Sequence, residues 1–542
     1  MRNGILFIVL LFILQCAVRK PPQGGPPDTT PPFVISTFPQ PDSINIKELE
    51  EIRIKFNEIM NRSSVEKALH CNVLIKDQYS LKWKNSKDLR IKLNDHLTSG
   101  LTYVFTIGTA ATDANGNRLT QPFNLAFSTD SILHQCSVSG KIINQEPNKI
   151  ITVQAIPLNK KGYEDSLWYR IPPANITTSQ NDGSFTLSYL KPGLYRLLAF
   201  EDSNFDFRFD PQMESYGLFT HDVFFQSNGD VLSGYFSTIV KTDSSAVFID
   251  KIKISEKDVA LVFTLNRNTH GITHKIFNTK HQLLPSISGK NPQQENEWLL
   301  YFKEPVFKDS VEYQFIIPET GDTLRDFYSY EMEPDSLPKP GFSVSISDPL
   351  YFEDHILIKS TTPVDSSSFS NGVQLSGGEN SVPYMILWND FRSIGIIPEG
   401  NWKIGAKYLL SIDMTEIKDY WGRSIGDSLI EKPISIISQD ELGGIAGKIA
   451  PKSKYPHIAL KFTEIQSNKL YQRLLDVDPS GKFELNNLPE GRYIVWGWYD
   501  NGDMKLDGGT LEPFQYPEPL LFSQDTIRIR PRWIKEGFIF DE

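Results

Sequence analysis

The sequence predicts an all-β protein, a tandem array of about five β-sandwiches that follows a targeting segment and a tether. One observation is a motif that occurs twice with identical spacing, at residues 183–195 (GSFTLSYLKPGLY) and 481–493 (GKFELNNLPEGRY). Such an internal repeat indicates duplicated modules. The second observation is that short segments elsewhere alternate apolar and polar residues, without a helical pattern of any length, which favours antiparallel strands.

Length and composition bound the class of protein. The chain has 542 residues, and roughly 100 to 150 residues per domain predicts about four or five domains. A hydrophobic fraction of 39%, with 12% aromatic residues, is sufficient for folded cores. The net charge of −11 argues against a nucleic-acid-binding surface, which needs basic patches to neutralise phosphates.

Residues 1–16 are predicted to be a signal peptide. Arg2 precedes an apolar run at residues 5–14, which is too short to span a bilayer. Cys16 follows this run, and the arrangement resembles the lipobox of bacterial lipoproteins. The resemblance implies that the Cys16 thiol is acylated, with palmitate among the acyl chains. An ordinary cleaved signal peptide and an N-terminal anchor helix are the alternatives.

Residues 17–32 are predicted to be a Pro/Gly-rich tether. Proline without periodicity gives an extended spacer of about 3 Å per residue. A lipid at Cys16 followed by this spacer would hold the array off the outer membrane of a Gram-negative bacterium, on either its outer or its periplasmic face. Several acyl chains together anchor a protein stably.

The segment 33–130 alternates apolar and polar residues at 52–56, 89–93 and 103–107, which predicts an antiparallel sandwich. It resembles the bacterial Ig-like domain first described in S-layer proteins. The resemblance lies in Pro31-Pro32, residues 56–60, Trp83, Leu97-x-x-Gly100-x-x-Tyr103, Asp113-x-x-Gly116-Asn117 and residues 127–129. It implies that Asp113 and the Gly116-Asn117 pair form a structural turn.

Segments 137–240 and 443–542 each contain one copy of the repeated motif. The order of a strand, a glycine, a second strand, Gly-x-Phe-x-Leu and Gly-x-Tyr resembles transthyretin-like or carboxypeptidase-regulatory-like β-sandwiches. The resemblance implies that the motif is architecture without chemistry, and that its glycines occupy turns that a Cβ atom would obstruct.

Two further sandwiches are predicted between these copies. Segment 341–438 repeats the first Ig-like pattern, with Trp388, Gly405-x-x-Tyr408 and Asp419-x-x-Gly422 in corresponding places. Segment 245–338 contains strand-like stretches at 259–263 and 298–302 and is predicted to be a degenerate Ig-like sandwich.

The acidic loop after the first repeat is the candidate metal site. Asp202, Asn204, Asp206 and Asp210 supply oxygen atoms at positions 1, 3, 5 and 9, the rhythm of a Ca²⁺-binding loop. Phe207 stands where such loops usually have glycine, and Glu214 lies one position beyond the usual bidentate ligand. The prediction is a structural Ca²⁺ that stiffens the loop, and no other cofactor is expected. A solvated acidic turn is the alternative.

The second copy is predicted to have lost the first of these ligands. Alignment of Asp503 and Asp507 with Asp206 and Asp210 places Tyr499 where Asp202 stands. Aromatic residues crowd the same region, and they form either the core and rim of a sandwich or a platform for sugar rings. These aromatic residues are Trp496, Trp498, Tyr499, Phe514 and Tyr516.

Two other features each have a structural and a functional interpretation. Cys71 and Cys136 could pair in an oxidising compartment, but two small buried side chains are favoured. The strand-like end of the chain, residues 527–533, is favoured as a last strand with one wet face, with a docking edge as the alternative.

Motifs of catalysis are missing from the sequence: it contains no His-Glu-x-x-His, Gly-x-Ser-x-Gly, phosphate-binding glycine-rich loop or Cys-x-x-Cys. The prediction is therefore a non-catalytic, lipid-anchored scaffold or adaptor, such as an accessory subunit of an outer-membrane β-barrel complex for protein assembly, secretion or uptake. A surface glycan-binding protein that uses the aromatic C-terminal sandwich is the alternative. An enzyme with a site assembled between domains is a third hypothesis.

Overall fold

The computed structural model describes residues 28–73, 78–146, 149–158, 165–211, 213–239, 247–266, 268–269, 271–291, 294–304, 307–318, 321–332, 336–452, 454–476, 480–523 and 525–540. Almost all regular structure in these residues is β-strand, which confirms the predicted fold class. The predicted signal peptide with Cys16, and residues 17–27 of the predicted tether, lie outside the described residues. Within the described residues, no helix has the length and apolarity needed to cross a membrane.

The chain divides into two compact units, one with residues 1–208 and 222–233 and the other with residues 209–221 and 234–542. The first unit begins with two sheets, in the strand orders β1-β2-β5-β4 and β3-β6-β7. A short helix, α1 (Arg62–Ala68), follows β2 and is capped by Asn61. These strands are β1 (Val34–Phe38), β2 (Glu51–Phe56), β3 (Leu69–Cys71), β4 (Tyr79–Lys84), β5 (Asp88–Leu93), β6 (Thr102–Ile107) and β7 (Phe123–Ser128).

The first sandwich forms because buried apolar and exposed polar residues alternate along its strands. Ile52, Ile54 and Phe56 of β2 are buried, whereas Arg53 and Lys55 between them are exposed. Because successive side chains of a strand point to opposite faces, one face of the sheet is apolar. It packs against Phe105 and Phe127 of the second sheet in one hydrophobic core.

The first copy of the repeat follows in the same unit. Strand β12 lies between β9 and β14, and β8 pairs with β11. Of the remaining strands of this segment, β13 belongs to the second unit and β15 crosses the boundary. The strands are β8 (Cys136–Ile142), β9 (Thr152–Pro157), β10 (Asn175–Thr178), β11 (Ser184–Leu190), β12 (Gly193–Phe200), β13 (Tyr216–Leu218), β14 (Val223–Phe225) and β15 (Val231–Ser237), and a 3-10 helix spans Asp165–Arg170.

The second unit continues with two more pairs of sheets. The third sandwich has the orders β16-β17-β20-β19 and β18-β21-β22. It contains β16 (Ile249–Ser255), β17 (Ala260–Leu265), β18 (Thr273–Phe277), β19 (Ser286–Asn291), β20 (Gln294–Phe302), β21 (Phe307–Ile316) and β22 (Thr323–Met332).

The fourth sandwich has the orders β23-β24-β28-β27 and β26-β25-β29-β30. Helix α2 (Ser366–Gly372), capped by Asp365, follows β24 as α1 follows β2, so both sandwiches contain a short helix that the alternation did not predict. The strands are β23 (Phe342–Ser345), β24 (Ile356–Ser360), β25 (Val373–Gly377), β26 (Asn380–Ser381), β27 (Tyr384–Asp390), β28 (Ser393–Pro398), β29 (Lys407–Asp413) and β30 (Leu429–Ser435).

The fifth sandwich holds the second copy of the repeat. Its sheets have the orders β34-β31-β38 and β33-β32-β35-β36, and β37 pairs with β35. A 3-10 helix at Gln439–Glu441 precedes it. The strands are β31 (Leu442–Lys448), β32 (His457–Glu464), β33 (Leu470–Asp476), β34 (Lys482–Pro489), β35 (Gly491–Asp500), β36 (Leu520–Phe522), β37 (Ile527–Ile529) and β38 (Ile534–Ile539).

The first glycine of each repeat has a backbone role. Gly183 and Gly481 adopt φ of +84° and +73°, a region that favours glycine. A Cβ atom at Gly183 would lie 2.3 Å from the carbonyl oxygen of Ile142, and one at Gly481 would lie 2.2 Å from that of Ile449. Both positions therefore exclude a side chain, as the resemblance implied.

We expect Gly183→Ala to loosen β8 and β11, and Gly481→Ala to loosen β31 and β34, because the new methyl group must displace a backbone carbonyl. Hydrogen exchange read by peptide would show the faster exchange confined to the mutated copy. Gly400→Ala is the control, since Gly400 has φ of +79° but open space around it. Its cost should stay near the conformational strain of about 1–2 kcal/mol. Equal effects from Gly400→Ala and the other two variants would contradict the steric explanation.

Candidate functional site

The start of the acidic loop is a closed turn around Asp202. Asp202 is buried, and its carboxylate accepts the backbone N–H groups of Asp206 at 3.2 Å and Phe207 at 3.0 Å. The same N–H of Asp206 also donates to the Oδ1 atom of Asn204, at 3.0 Å. Burial raises the pKa of Asp202, and the bond from Phe207 opposes that rise. The Asp202 carboxylate therefore already accepts hydrogen bonds from backbone N–H groups of its own loop.

The four predicted Ca²⁺ ligands do not all belong to this turn. Asp202, Asn204 and Asp206 lie in the first unit, whereas Asp210 belongs to the second unit. There, the backbone N–H of Asp210 donates to Oε2 of the buried Glu214 at 3.0 Å. Binding of Ca²⁺ by these residues stays a prediction.

The turn around Asp202 positions a junction between two sandwiches of the first unit. It directs Phe207 against His70, with 5.1 Å between the ring centroids, and the Phe207 carbonyl accepts a hydrogen bond from Gln154 at 2.8 Å. Nearby, the Thr109 N–H donates to Oγ1 of Thr178 at 3.0 Å. Because Thr109 and Thr178 are buried and paired, the first sandwich and the first repeat meet through a specific polar contact.

The second copy retains the buried aspartate, so the predicted loss of the first ligand position was wrong. Asp500 stands seven residues after Tyr493, as Asp202 stands seven after Tyr195. Its Oδ2 atom accepts the N–H groups of Gly502 at 2.7 Å and Met504 at 3.2 Å. The alignment on Asp503 and Asp507 was shifted by one residue, and counting from the repeat tyrosines would have found Asp500.

Glu518 lies beside this second turn and was missed by the sequence analysis. It is 4% exposed, and its Oε2 atom accepts the backbone N–H of Asp507 at 3.0 Å. Burial raises the pKa of Glu518 to about 7, and the charges of Asp500, Asp507 and Asp503 add to the rise. No sequence signal marks Glu518, because it faces the turn from the other side of an intervening loop.

Two of the five aromatic residues in the predicted platform are buried, whereas Phe514 is half-buried and Tyr516 is 45% exposed. Trp498 and Tyr499 are each 1% exposed, so neither can stack on a sugar ring in this conformation. The Trp498 indole N–H donates to Asp500 at 3.0 Å, and the Tyr499 hydroxyl donates to the Ala450 carbonyl at 2.7 Å. Trp496 is half-buried, and Lys461 lies over both tryptophan rings.

The structure groups three other carboxylates that the sequence did not connect. Within the described residues, oxygen atoms of Asp28, Glu58 and Asp113 lie within 4.8 Å of one another, a spacing that can hold a metal ion. Asp113 also forms the expected turn, accepting the N–H groups of Asn115 and Asn117 at 2.8 Å each. Burial favours its protonated form, but bonds from the Asn117 side chain and nearby amides lower the pKa overall.

The fourth sandwich contains a version of the same turn. Asp419 is buried and accepts the N–H groups of Trp421 at 3.0 Å and Arg423 at 2.9 Å. The Trp421 indole N–H then donates to the Phe302 carbonyl of the third sandwich at 3.1 Å. Here too the aspartate turn positions an aromatic residue at a junction between sandwiches.

The junction between the fourth and fifth sandwiches is polar and aromatic. Arg473 forms an ion pair with Glu353 at 2.7 Å and donates to the Tyr351 hydroxyl. That hydroxyl donates to the Asn487 carbonyl at 2.7 Å, and the Tyr351 ring lies edge-on to Tyr471. Burial raises the pKa of Tyr351, so the hydroxyl keeps the proton that it donates.

Cys71 and Cys136 have buried thiols rather than a disulfide, as predicted. In β37, Ile527 and Ile529 are buried and Arg528 is exposed, so this strand has the predicted solvent-exposed face. The prediction that residues 527–533 form the last strand was wrong, because β37 ends at Ile529 and β38 (Ile534–Ile539) follows it.

We expect Asp500→Ala to destabilise the fifth sandwich, because the buried Trp498 indole N–H loses its acceptor, as do the backbone N–H groups of the exposed residues Gly502 and Met504. Each unsatisfied buried donor costs about 1–3 kcal/mol. Hydrogen exchange of β32 and β35 would measure the loss. Asp503→Ala is the matched control, since Asp503 is exposed. Similar exchange in the two variants would contradict the assigned role of Asp500.

We expect Glu518 to make the fifth sandwich less stable as pH rises. A carboxyl with a raised folded pKa keeps its proton while the unfolded chain loses it, so stability falls between pH about 4.5 and about 7. Denaturant unfolding of wild type and Glu518→Gln across this range should show the slope only in the wild type. A slope that persists in Glu518→Gln would assign it to other groups.

Comparisons with known proteins gave distant structural likenesses and one family match. The sequence matched none of the curated proteins. Among solved structures, an L,D-transpeptidase from Mycobacterium smegmatis is 12% identical with a TM-score of 0.15, covering 31% of this chain and 76% of that one. The BSP domain of a biofilm-associated protein is 9% identical with a TM-score of 0.16, covering 75% and 96%. The S-layer protein rSbsC is 10% identical with a TM-score of 0.15, covering 93% and 67%.

These structural likenesses are too low to carry an argument about function. The family model is more specific: the model of the bacterial Ig-like domain matches residues 28–129. This match confirms the resemblance predicted for segment 33–130, and residues 28–129 are a bacterial Ig-like domain.

Proposed function

We propose that this chain is a non-catalytic lipoprotein anchored in the outer membrane, where it acts as a scaffold or adaptor. Its partner would be an outer-membrane β-barrel complex for protein assembly, secretion or uptake, of which this chain is an accessory subunit. The proposal rests on the contacts between consecutive sandwiches. Within each unit, consecutive sandwiches meet through specific hydrogen bonds and ion pairs.

The junctions support a scaffold because an adaptor must hold its docking surfaces at fixed positions. Domains joined by small, wet contacts are expected to move relative to one another. Here Thr109 and Phe207 lock the junction in the first unit, and Trp421 and Arg473 lock two junctions in the second. Each unit is therefore suited to act as one rigid body.

The sequence supports the membrane part of the proposal. Cys16 follows an apolar run and precedes a Pro/Gly-rich spacer, the arrangement expected of a lipid anchor and its tether. The structural Ca²⁺ at Asp202, Asn204, Asp206 and Asp210 remains part of this proposal as a stiffening element. Glycan binding has no comparable observation in its favour, because Trp498 and Tyr499 are buried.

We expect purification from native membranes through a C-terminal tag to bring down a β-barrel protein in stoichiometric amount. Mass spectrometry of the same sample should find the N-terminal peptide acylated at Cys16. Arg473→Glu should lower the yield of the barrel protein, since it places a like charge beside Glu353 and opens the junction. Lys432→Glu is the control, because Lys432 is exposed on β30.

Two results would contradict the proposal. An unmodified Cys16 in a chain that is recovered alone would remove both the anchor and the partner. Equal yields of the barrel protein from Arg473→Glu and wild type would show that a rigid junction is not required.

A further inference from the structure

The outer face of one sheet in the Ig-like domain is strongly basic. In the sheet β1-β2-β5-β4, the residues between the buried positions point away from the core, and most of them are lysine or arginine. We name this surface the basic face: Arg53, Lys55, Lys82, Lys84, Arg90 and Lys92, with the carboxylates Glu51 and Asp88 among them. It has a net charge of +4 in a chain whose net charge is −11.

Register brings like charges into direct opposition on this face. Arg53 lies opposite Arg90, and Arg90 lies opposite Lys82. Opposed like charges destabilise a sheet. Glu51 forms an ion pair with both arginines, at 2.7 Å from Arg53 and 3.5 Å from Arg90. Repulsion therefore acts within the row Arg53, Arg90 and Lys82. The other three cations lie opposite carboxylates: Lys55 and Lys84 opposite Asp88, and Lys92 opposite Glu51.

The fold does not require a basic face. In the fourth sandwich, β23-β24-β28-β27 is the sheet that corresponds to β1-β2-β5-β4. Its outward positions include Leu357, Gly395, Met385 and Leu387. Among the outward residues of these four strands, which the structure describes in full, Lys359 is the one cation. The basic face is thus particular to the first sandwich.

An apolar rim borders the basic face. Ile35 and Phe38 of the edge strand β1 are 50% and 55% exposed, and Phe33, which immediately precedes β1, is 55% exposed. Phe38 lies directly opposite Arg53 in the register. Basic side chains beside exposed apolar ones are typical of surfaces that lie on anionic membranes, where each cation near the lipid phosphates adds to binding.

We propose that the basic face docks on an anionic lipid bilayer, with its lysines and arginines against lipid phosphates and Phe33, Ile35 and Phe38 in the headgroup layer. The position of the basic face in the chain supports a bilayer as its partner, because β1 is the first strand after residues 1–27, which contain the predicted anchor. A tether of about 3 Å per residue leaves the domain free to approach or leave the bilayer. The basic face would keep the domain bound to the bilayer. The inference rests on the proposed function only for the nearness of the membrane.

The test is sedimentation of vesicles with the chain from residue 17 onward, which keeps every described residue and lacks Cys16. Vesicles of phosphatidylcholine are compared with vesicles that also contain phosphatidylglycerol. We expect the wild type to prefer the anionic vesicles, with a preference that weakens as salt screens the charges. Lys55→Gln/Lys82→Gln/Lys92→Gln should reduce the partition coefficient about tenfold or more.

The matched control is Lys359→Gln/Lys407→Gln/Lys432→Gln, which removes the same charge from exposed positions of the fourth sandwich. It should bind like the wild type. Thermal unfolding checks that both variants are folded. Equal binding to both vesicle types, or equal losses in the two variants, would overturn the proposal. Binding to duplex DNA or polyglutamate in place of anionic vesicles would also overturn it. Since Cys16 and the barrel partner take no part, failure here leaves the proposed scaffold function untouched.

Discussion

Buried aspartates that accept backbone N–H groups are the interaction on which this architecture depends. Asp113 and Asp419 close equivalent turns in two sandwiches, and Asp202 and Asp500 close equivalent turns in the two repeats. In each case a short polar side chain satisfies amides that a tight turn leaves without strand partners. A buried donor without an acceptor costs about 1–3 kcal/mol, and this cost applies most directly to the buried N–H of Phe207, which Asp202 accepts.

The same turns explain why the sandwiches meet as they do. Asp202 holds Phe207 against His70, and Asp419 holds Trp421 against the third sandwich. Phe207 adopts φ of +59°, a conformation that costs about 1–2 kcal/mol for a residue with a side chain. The bonds to the Asp202 carboxylate offset this cost. A local hydrogen-bonding motif therefore determines a long-range contact between modules.

The first and fourth sandwiches have similar cores but different charges on their outward faces. Cores of the first and fourth sandwiches use the same alternation of buried isoleucines, such as Ile52 and Ile54 in one and Ile356 and Ile358 in the other. Their outward faces share no such pattern, because solvent-facing positions are free of packing constraints. The basic face is one use of this freedom. A duplicated scaffold can keep its core and still present a different surface in each copy.

The sequence by itself determined the all-β class, the two repeats and the turn roles of Asp113 and Gly183. These follow from interactions between near neighbours, since strand alternation and turn chemistry act over a few residues. Tertiary structure decided the rest. Trp498 looked available for stacking, but its burial depends on strands and loops distant in sequence. Arg53, Lys82 and Arg90 form no cluster in the sequence, yet strand pairing places them in one row. Pairing between distant strands sets which side chains become neighbours, and a pattern read along the chain cannot contain that register.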